Sequence, residues 1–249
     1  MKPRPAAEQT YRGEPASPGL AIGALVRLAA RTQAVDDAGE PPAAAKARLK
    51  SAIGRAKDEV AALIAANDAM GADILEFQQE LLDDPTLVDA AFSVIDLGMG
   101  AASAWAAAIG EQVAIYQSAE DVYFRARAAD LTDLRERVIG ALSGAGSAAP
   151  PDVPDGAIVL AEDMTPSVFL SFDWRQLGGA ALVAGSRASH VAMLARARGV
   201  PLLTGLEAEP AALAGDAVLD AHDGVLVLSP TAATRARYAG RIAEAADLH

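Results

Sequence analysis

His190 follows Gly185-Ser186-Arg187-Ala188-Ser189 and opens the run Val191 to Arg196. The apolar stretch Ala180-Ala181-Leu182-Val183-Ala184 before it predicts a buried strand, and Ser189 to Arg196 predicts a helix. A strand, a short Gly/Ser turn and a helix aim backbone N–H groups and the positive end of a helix dipole at one point, which suits an anion. A neutral imidazole on the first turn of such a helix is a competent nucleophile. The chemistry this implies is attack on phosphorus, with the phosphoryl group then carried on His190. Such transfer asks for positioning and charge stabilisation more than for covalent ingenuity. One ring nitrogen attacks in line, and the other must be held by a hydrogen bond that fixes the tautomer. An unperturbed imidazole, with a pKa of about 6.5, supplies enough of the neutral form near pH 7. Ser189 is placed to cap the helix, and the N–H groups after Gly185, including that of Ser186, to meet phosphate oxygens. Arg187 and Arg196 are placed to offset its charge, although each also reads as a solvated side chain. By local pattern alone, His190 reads equally as a polar surface residue or a satisfied cap.

Other chemistries fit less well. The remaining histidines are His222, in a turn, and His249, the last residue, and neither has neighbours arranged for catalysis. With no cysteine and three scattered histidines, a zinc site is not expected. Ser189 is adjacent to His190 in sequence, which is poor geometry for a hydrolytic dyad, and no nucleophile elbow is present.

The elements that position His190 belong to a chain of 249 residues, 52% hydrophobic but only 4% aromatic. Much of that apolar content is alanine, which favours closely packed helices. A net charge of −12 argues against nucleic acid and anionic membranes as partners and for a basic protein partner. No apolar run approaches the ~18 residues of a membrane span. The polar, Pro-containing residues 1–13 lack the apolar core of a signal peptide and are expected to be loose. With no cysteines, a cytoplasmic location is expected.

Pro18-Gly19 signals a turn, and 20–28 reads as a strand, by itself a simple edge strand. Pro41-Pro42 suits a helix start. Helices are then expected over 43–70, with Leu49, Ile53, Ala56, Val60 and Leu63 on one face and Gly71 ending it, and over 73–82, with Ile74, Phe77 and Leu81 aligned. A third is expected over 86–97 with Thr86 as its cap and Asp89 three residues on, a fourth over 101–117, and a fifth over 119–142 capped by Ser118. Residues 143–154 form a Gly/Ala/Pro linker. From there the period changes. Strands are expected at 156–160, 180–184 and 201–203, a short helix at 168–172, and a hairpin of 217–220 with 224–228. Residues 231–249 read as a last helix leaving the unit.

These residues carry a resemblance. Gly185, Ser189, His190, Met193, Leu194, Ala195 and Arg196 are similar to the phosphohistidine signature of the phosphoenolpyruvate-utilising enzymes. The departures are Ser186 for a second glycine, Ala188 for threonine, and Val191 for a small residue. Ala16-Ser17-Pro18-Gly19-Leu20-Ala21-Ile22-Gly23 resembles the opening of enzyme I of the bacterial phosphotransferase system. The segment from Ile74 to Pro85 resembles that family's second helix, with Gln78 where histidine is common, and Phe124 to Asp130 resembles the start of its last long helix.

The resemblance implies an α/β swivelling phosphohistidine domain, at 1–38 and 146–230, with an inserted all-α helical bundle at 39–145 and a C-terminal linker helix at 231–249. It implies that His190 relays phosphate as part of a phosphoenolpyruvate-protein phosphotransferase, and that the threonine of the Glu162-to-Ser167 loop, Thr165, lies against it. By local sequence Thr165 reads as a helix cap, and both roles stay open. The implied partner is the carrier protein HPr, docked by Leu81, Asp84, Leu87, Phe124 and Arg127. Apolar anchors with a carboxylate at the rim suit a basic carrier. The family's phosphoenolpyruvate-binding barrel, which would act in cis if the chain is a fragment and would bring magnesium, is not within these residues. No cofactor is expected in this chain, and self-charging from phosphoenolpyruvate is not expected. Alternatives are a degenerate carrier-binding or regulatory module and the enzyme I-like module of a multidomain phosphotransferase protein. A dikinase or synthase phosphohistidine domain shares the swivelling unit, but the helical insertion argues against it.

Overall fold

A computed structural model describes residues 7–28, 37, 39–144, 153–209 and 213–246. The chain opens with three strands, β1 (Gln9–Arg12), β2 (Glu14–Ser17) and β3 (Leu20–Arg27). Five helices follow: α1 (Pro42–Ala66), α2 (Ala69–Asp83), α3 (Pro85–Asp96), α4 (Ala101–Ser118) and α5 (Val122–Leu142). Then come β4 (Ile158–Ala161), α6 (Pro166–Ser171), β5 (Gly179–Leu182), α7 (His190–Arg198) and β6 (Leu202–Thr204). The hairpin strands β7 (Gly215–Asp220) and β8 (Val225–Leu228) and the helix α8 (Ala232–Ala246) complete it. Two compact units result. One comprises Met1–Ala30, Pro150–Met164 and Phe172–His249, and the other Arg31–Ala149 and Thr165–Ser171.

In the first unit the strands form one sheet in the order β1-β8-β7-β3-β4-β5-β6-β2. From β3 to β6 the pairings are parallel, and the rest are antiparallel. The two outermost strands, β1 and β2, are consecutive in the chain and separated by Gly13 alone. The sheet must therefore curl until its edges nearly meet. Ile158, Leu160, Ala181, Leu203, Leu219 and Leu226 pack together on the enclosed face. Because side chains alternate along a strand, Val218 and Val227 face the other way. They pack on Tyr238 of α8, beside Leu20 and Ile22.

In the second unit the helices bury small side chains at their crossings. Ala45, Ala52 and Ala56 of α1 and Ala101, Ala104 and Ala108 of α4 are buried, which lets backbones approach closely. Leu131, Leu134, Val138 and Leu142 of α5 are all buried, as their spacing predicts. Asp133, on α5 and 4% exposed, accepts from the Ser167 N–H (3.0 Å), from Ser167 Oγ (2.5 Å) and from Gln78 Nε2 (2.9 Å). One carboxylate thus ties α2 and α6 to α5.

Several boundaries differ from the sequence expectation. The first helix ends at Ala66, with Asn67 as its C-cap, and not at Gly71, because Asp68 caps α2 by accepting the Gly71 N–H (2.9 Å), leaving Gly71 buried inside that helix. The buried stripe of α2 is Ile74, Gln78 and Leu82, whereas Phe77 and Leu81 are half-buried. Asp84, not Thr86, caps α3, since Pro85 occupies the first helical position where a missing N–H does no harm. Ser118 ends α4, its hydroxyl donating to the Ile115 carbonyl (2.8 Å), and does not cap α5. The N-terminal residues include two strands that complete the sheet. β3 lies in the middle of the sheet and not at an edge. α8 packs on the sheet instead of leaving it, and 165–171 group with the helices. Part of the linker at 143–154 and His249 lie outside the described residues.

Candidate functional site

Three parallel strands, β4, β5 and β6, end side by side at Ala161, Leu182 and Thr204. In open parallel arrangements the crevice beyond the carboxyl ends of strands is where ligands bind. The loop after β5 is held past the strand ends by backbone bonds. The Val183 N–H donates to Ala161 O (3.1 Å), Ala184 N–H to Glu162 O (2.7 Å) and Leu206 N–H to Leu182 O (3.0 Å). Gly185 then turns with φ +86°. A Cβ there would sit 3.2 Å from Asp163 Oδ1 and 3.8 Å from Thr204 Cγ2, so both dihedral and space call for glycine. The Ser189 N–H donates to Ser186 O (3.1 Å), closing the turn.

Ser189 is the N-cap of α7, and its hydroxyl accepts the Ala192 N–H (3.2 Å), as expected. His190 is the first residue of the helix. Gly199, in the left-handed region, ends α7, and Arg196 and Arg198 sit in its last turn, where the dipole favours cations. The expected strand, turn and capped helix with histidine at its mouth are all present. The ring itself is not presented to solvent. His190 is 8% exposed, while Gly185 to Ala188 are exposed. Val191, Ala192, Leu194 and Ala195 are buried, so the inner side of α7 draws the first turn inward. Arg196 is also placed differently from the expectation. Its Nη1 donates to the carbonyls of Ala16 (2.8 Å) and Arg187 (3.0 Å), fastening β2 to the loop.

Residues 12–127 match the model of the PEP-utilising enzyme N-terminal domain, and residues 153–224 match that of the PEP-utilising enzyme mobile domain, PEP being phosphoenolpyruvate. The chain belongs to the PEP-utilising enzyme family. A phosphoenolpyruvate-protein phosphotransferase of Bacillus sp. (strain S) is 30% identical over 243 residues, covering 93% of this chain and 41% of that protein. A multiphosphoryl transfer protein of Xanthomonas campestris pathovar campestris is 32% identical over 235 residues, covering 90% of this chain and 26% of that protein. The chain therefore spans under half the length of these relatives. The NMR solution structure of an enzyme I protein shares the fold, with a TM-score of 0.74 at 24% identity over 94% of this chain and 98% of that one. The chain is an enzyme I-like N-terminal module of the phosphotransferase-system proteins.

Against that family background, the helical residues expected to dock a carrier are unequal. Leu81 is half-buried on α2. Asp84 is engaged in capping α3, accepting from the Thr86 N–H (2.8 Å) and hydroxyl (2.6 Å), and these bonds hold its carboxyl below the usual range. Leu87 is 7% exposed and therefore supports a surface more than it forms one. The Arg127 guanidinium stacks 3.9 Å from the Phe77 ring centroid and lies 3.5 Å from Asp130. The Phe124 side chain lies outside the described residues. Gln78 donates to Asp133. Thr165 stands just before α6, and its carbonyl accepts the Phe169 N–H (3.0 Å). Its Oγ1 is buried without a hydrogen-bond partner among the described residues.

Asp163, beside the Gly185 turn, is not among the residues that the sequence singles out. Its Oδ1 accepts the Met164 N–H (2.8 Å). Protein crowding around this carboxyl, more than that hydrogen bond offsets and with Glu162 adding repulsion, pushes its pKa up. Thr204 and Ser17 also have buried hydroxyls without a partner among the described residues. The sequence signal for Asp163 is its place in the Glu162-to-Ser167 loop, two residues before Thr165. Among the described residues, no three histidine or carboxylate side chains converge as a metal ion would require.

Proposed function

We propose that His190 receives a phosphoryl group originating in phosphoenolpyruvate and passes it to an HPr-like phosphocarrier. The observation that carries this reading is the place of His190. It opens a Ser189-capped helix after the Gly185 turn, at the carboxyl ends of parallel strands, inside the segment matching the mobile-domain model. In charging, a ring nitrogen bonds to phosphorus as the P–O bond to the enol oxygen breaks, and that electron pair leaves with the enolate. In hand-off the N–P bond breaks, the ring recovers its electron pair, and the carrier's nucleophile bonds to phosphorus. Loop N–H groups from Ser186 onward and the dipole of α7 offset phosphate charge. With His190 8% exposed, transfer requires the exposed 185–188 loop to open or the side chain to rotate outward.

Charging from phosphoenolpyruvate would fall to a separate phosphoenolpyruvate-binding domain, in cis if this chain is a fragment, and that domain would hold the magnesium. Carrier docking is assigned to Leu81, Asp84, Leu87, Phe124 and Arg127, of which Leu87 is buried. Thr165 is given the orienting role that the resemblance implies, which Thr165→Val tests through the transfer rate.

The decisive experiment mixes the chain with phosphorylated HPr and seeks an acid-labile, base-stable adduct. Wild type is expected to take label and His190→Ala to take none. Equal labelling of both overturns the assignment. A second reading, the enzyme I-like module of a multidomain protein, is favoured by the likeness to the multiphosphoryl transfer protein, of which the chain covers 26%. It uses the same histidine and differs in its carrier. Substitutions at Ser186, Ala188 and Val191 motivate a third, a binding module without transfer, which calorimetric binding of HPr with no exchange would establish.

A further inference from the structure

Beside edge strand β2 lies a cleft of about 560 Å³, lined by Ala16, Pro18, Arg187, Ala188, Arg196 and His222 among others. Its size falls within the ~300–1,000 Å³ of small-molecule sites. His190 is not among its lining residues. Three of those residues are nitrogen-bearing donors, in a chain whose net charge is −12. Arg187 is exposed and its guanidinium has no partner among the described residues, and His222 is exposed as well. Arg196 is held in place by its bonds to the Ala16 and Arg187 carbonyls. The acidic side chains on the same elements are turned elsewhere. Asp220 and Asp223 both pair with Arg241, and Glu14 stands over Gly205, its Cγ 3.9 Å from where a Cβ there would be. Peptide strands are poor occupants, because Pro15 and Pro18 interrupt the donors of this edge and Arg196 already takes the Ala16 carbonyl.

We propose that this cleft is a second anion site, taking a small phosphate-bearing molecule. Guanidinium forks match phosphate oxygens, and an anion seated between Arg187 and His222 bridges the loop before α7 and the β7–β8 turn. Ala188 and Arg187 adjoin the Ser189 cap, so occupancy stiffens the segment that carries His190. The binding claim stands without the transfer reading, and its effect on transfer rests on it.

The probe is inorganic pyrophosphate, titrated into the 249-residue chain by calorimetry and followed by amide NMR shifts. Saturable binding is expected, with shifts at Arg187, Ala188 and His222. The double variant R187A/H222A, altered at two exposed side chains, is expected to weaken binding at least about tenfold, while H190A retains it. Unchanged affinity in the double variant overturns the proposal. So does loss of binding in H190A with retention in R187A/H222A, which would seat the anion at His190. Labelling of His190 by phosphorylated HPr, measured separately, shows whether the transfer reading stands or fails whatever the cleft does.

Discussion

Gly185 and Asp163 show how single residues shape the loop before His190. A side chain at Gly185 would face both a positive φ and the Asp163 carboxylate at 3.2 Å. Gly185→Ala is therefore expected to destabilise by about 1–2 kcal/mol in urea unfolding, from the dihedral alone, and to slow labelling of His190. Asp163 contributes in the opposite sense. Its pKa is raised in the fold, so the folded state holds more protons than the unfolded one between the two values, and stability falls as pH rises through the folded pKa. Asp163→Asn keeps an acceptor for the Met164 N–H and removes the crowded charge. A higher Tm than wild type is expected at pH 7, and the gap should close below about pH 4, where both states of the wild type are protonated. A gap that persists at low pH would contradict the electrostatic account.

Among the elements, α6 is the least self-sufficient. At six residues it is below the length at which helices sustain themselves, and Asp133 of α5 satisfies its Ser167 N–H and hydroxyl. Asp133→Ala leaves those donors and Gln78 Nε2 buried without partners, and should cost about 3 kcal/mol, read by chemical denaturation. α4 has a comparable dependence. Gly100 at its start has no side chain to cap with, and Asp37 Oδ2 accepts the N–H groups of Ala102 (3.0 Å) and Ser103 (3.1 Å) instead. Asp37→Ala is expected to cost about 1 kcal/mol. Neither cap was legible in the sequence, because each donor and acceptor pair lies more than thirty residues apart. The helices themselves were legible, because apolar positions at spacings of three and four survive any error at their ends.

Across the sheet-bearing unit, α8 is an integral part of the structure. Tyr238 covers Val218 and Val227, and the Arg241 guanidinium meets the fully buried Asp220 carboxylate at 2.5 Å. Burial would raise the Asp220 pKa. The Asp223 N–H, Arg241 and the His222 N–H together outweigh that and hold it below the ordinary range. The stability it contributes is present above the unfolded value of about 3.9 and is lost as pH falls through the folded pKa. Arg241→Ala strands a buried carboxylate. It is expected to cost about 2 kcal/mol at pH 7, with a smaller deficit in acid, where Asp220 is neutral, measured by thermal melts across pH 3–7.

What the sequence by itself determined is what depends on neighbours in the chain. Such features are the Ser189 cap beside His190, the glycine at 185, the stripes of α1 and α5, and the β7–β8 hairpin. The family was legible for the same reason, since its signature is a local string. Tertiary structure alone decided what depends on residues far apart. It enrolled the N-terminal strands as both edges of a curled sheet, seated α8 on it through Tyr238 and Arg241, turned Arg196 to the Ala16 carbonyl, and drew the His190 ring inward with the buried side of α7. Burial and long-range hydrogen bonds are properties of what the fold brings alongside, and no local pattern encodes them.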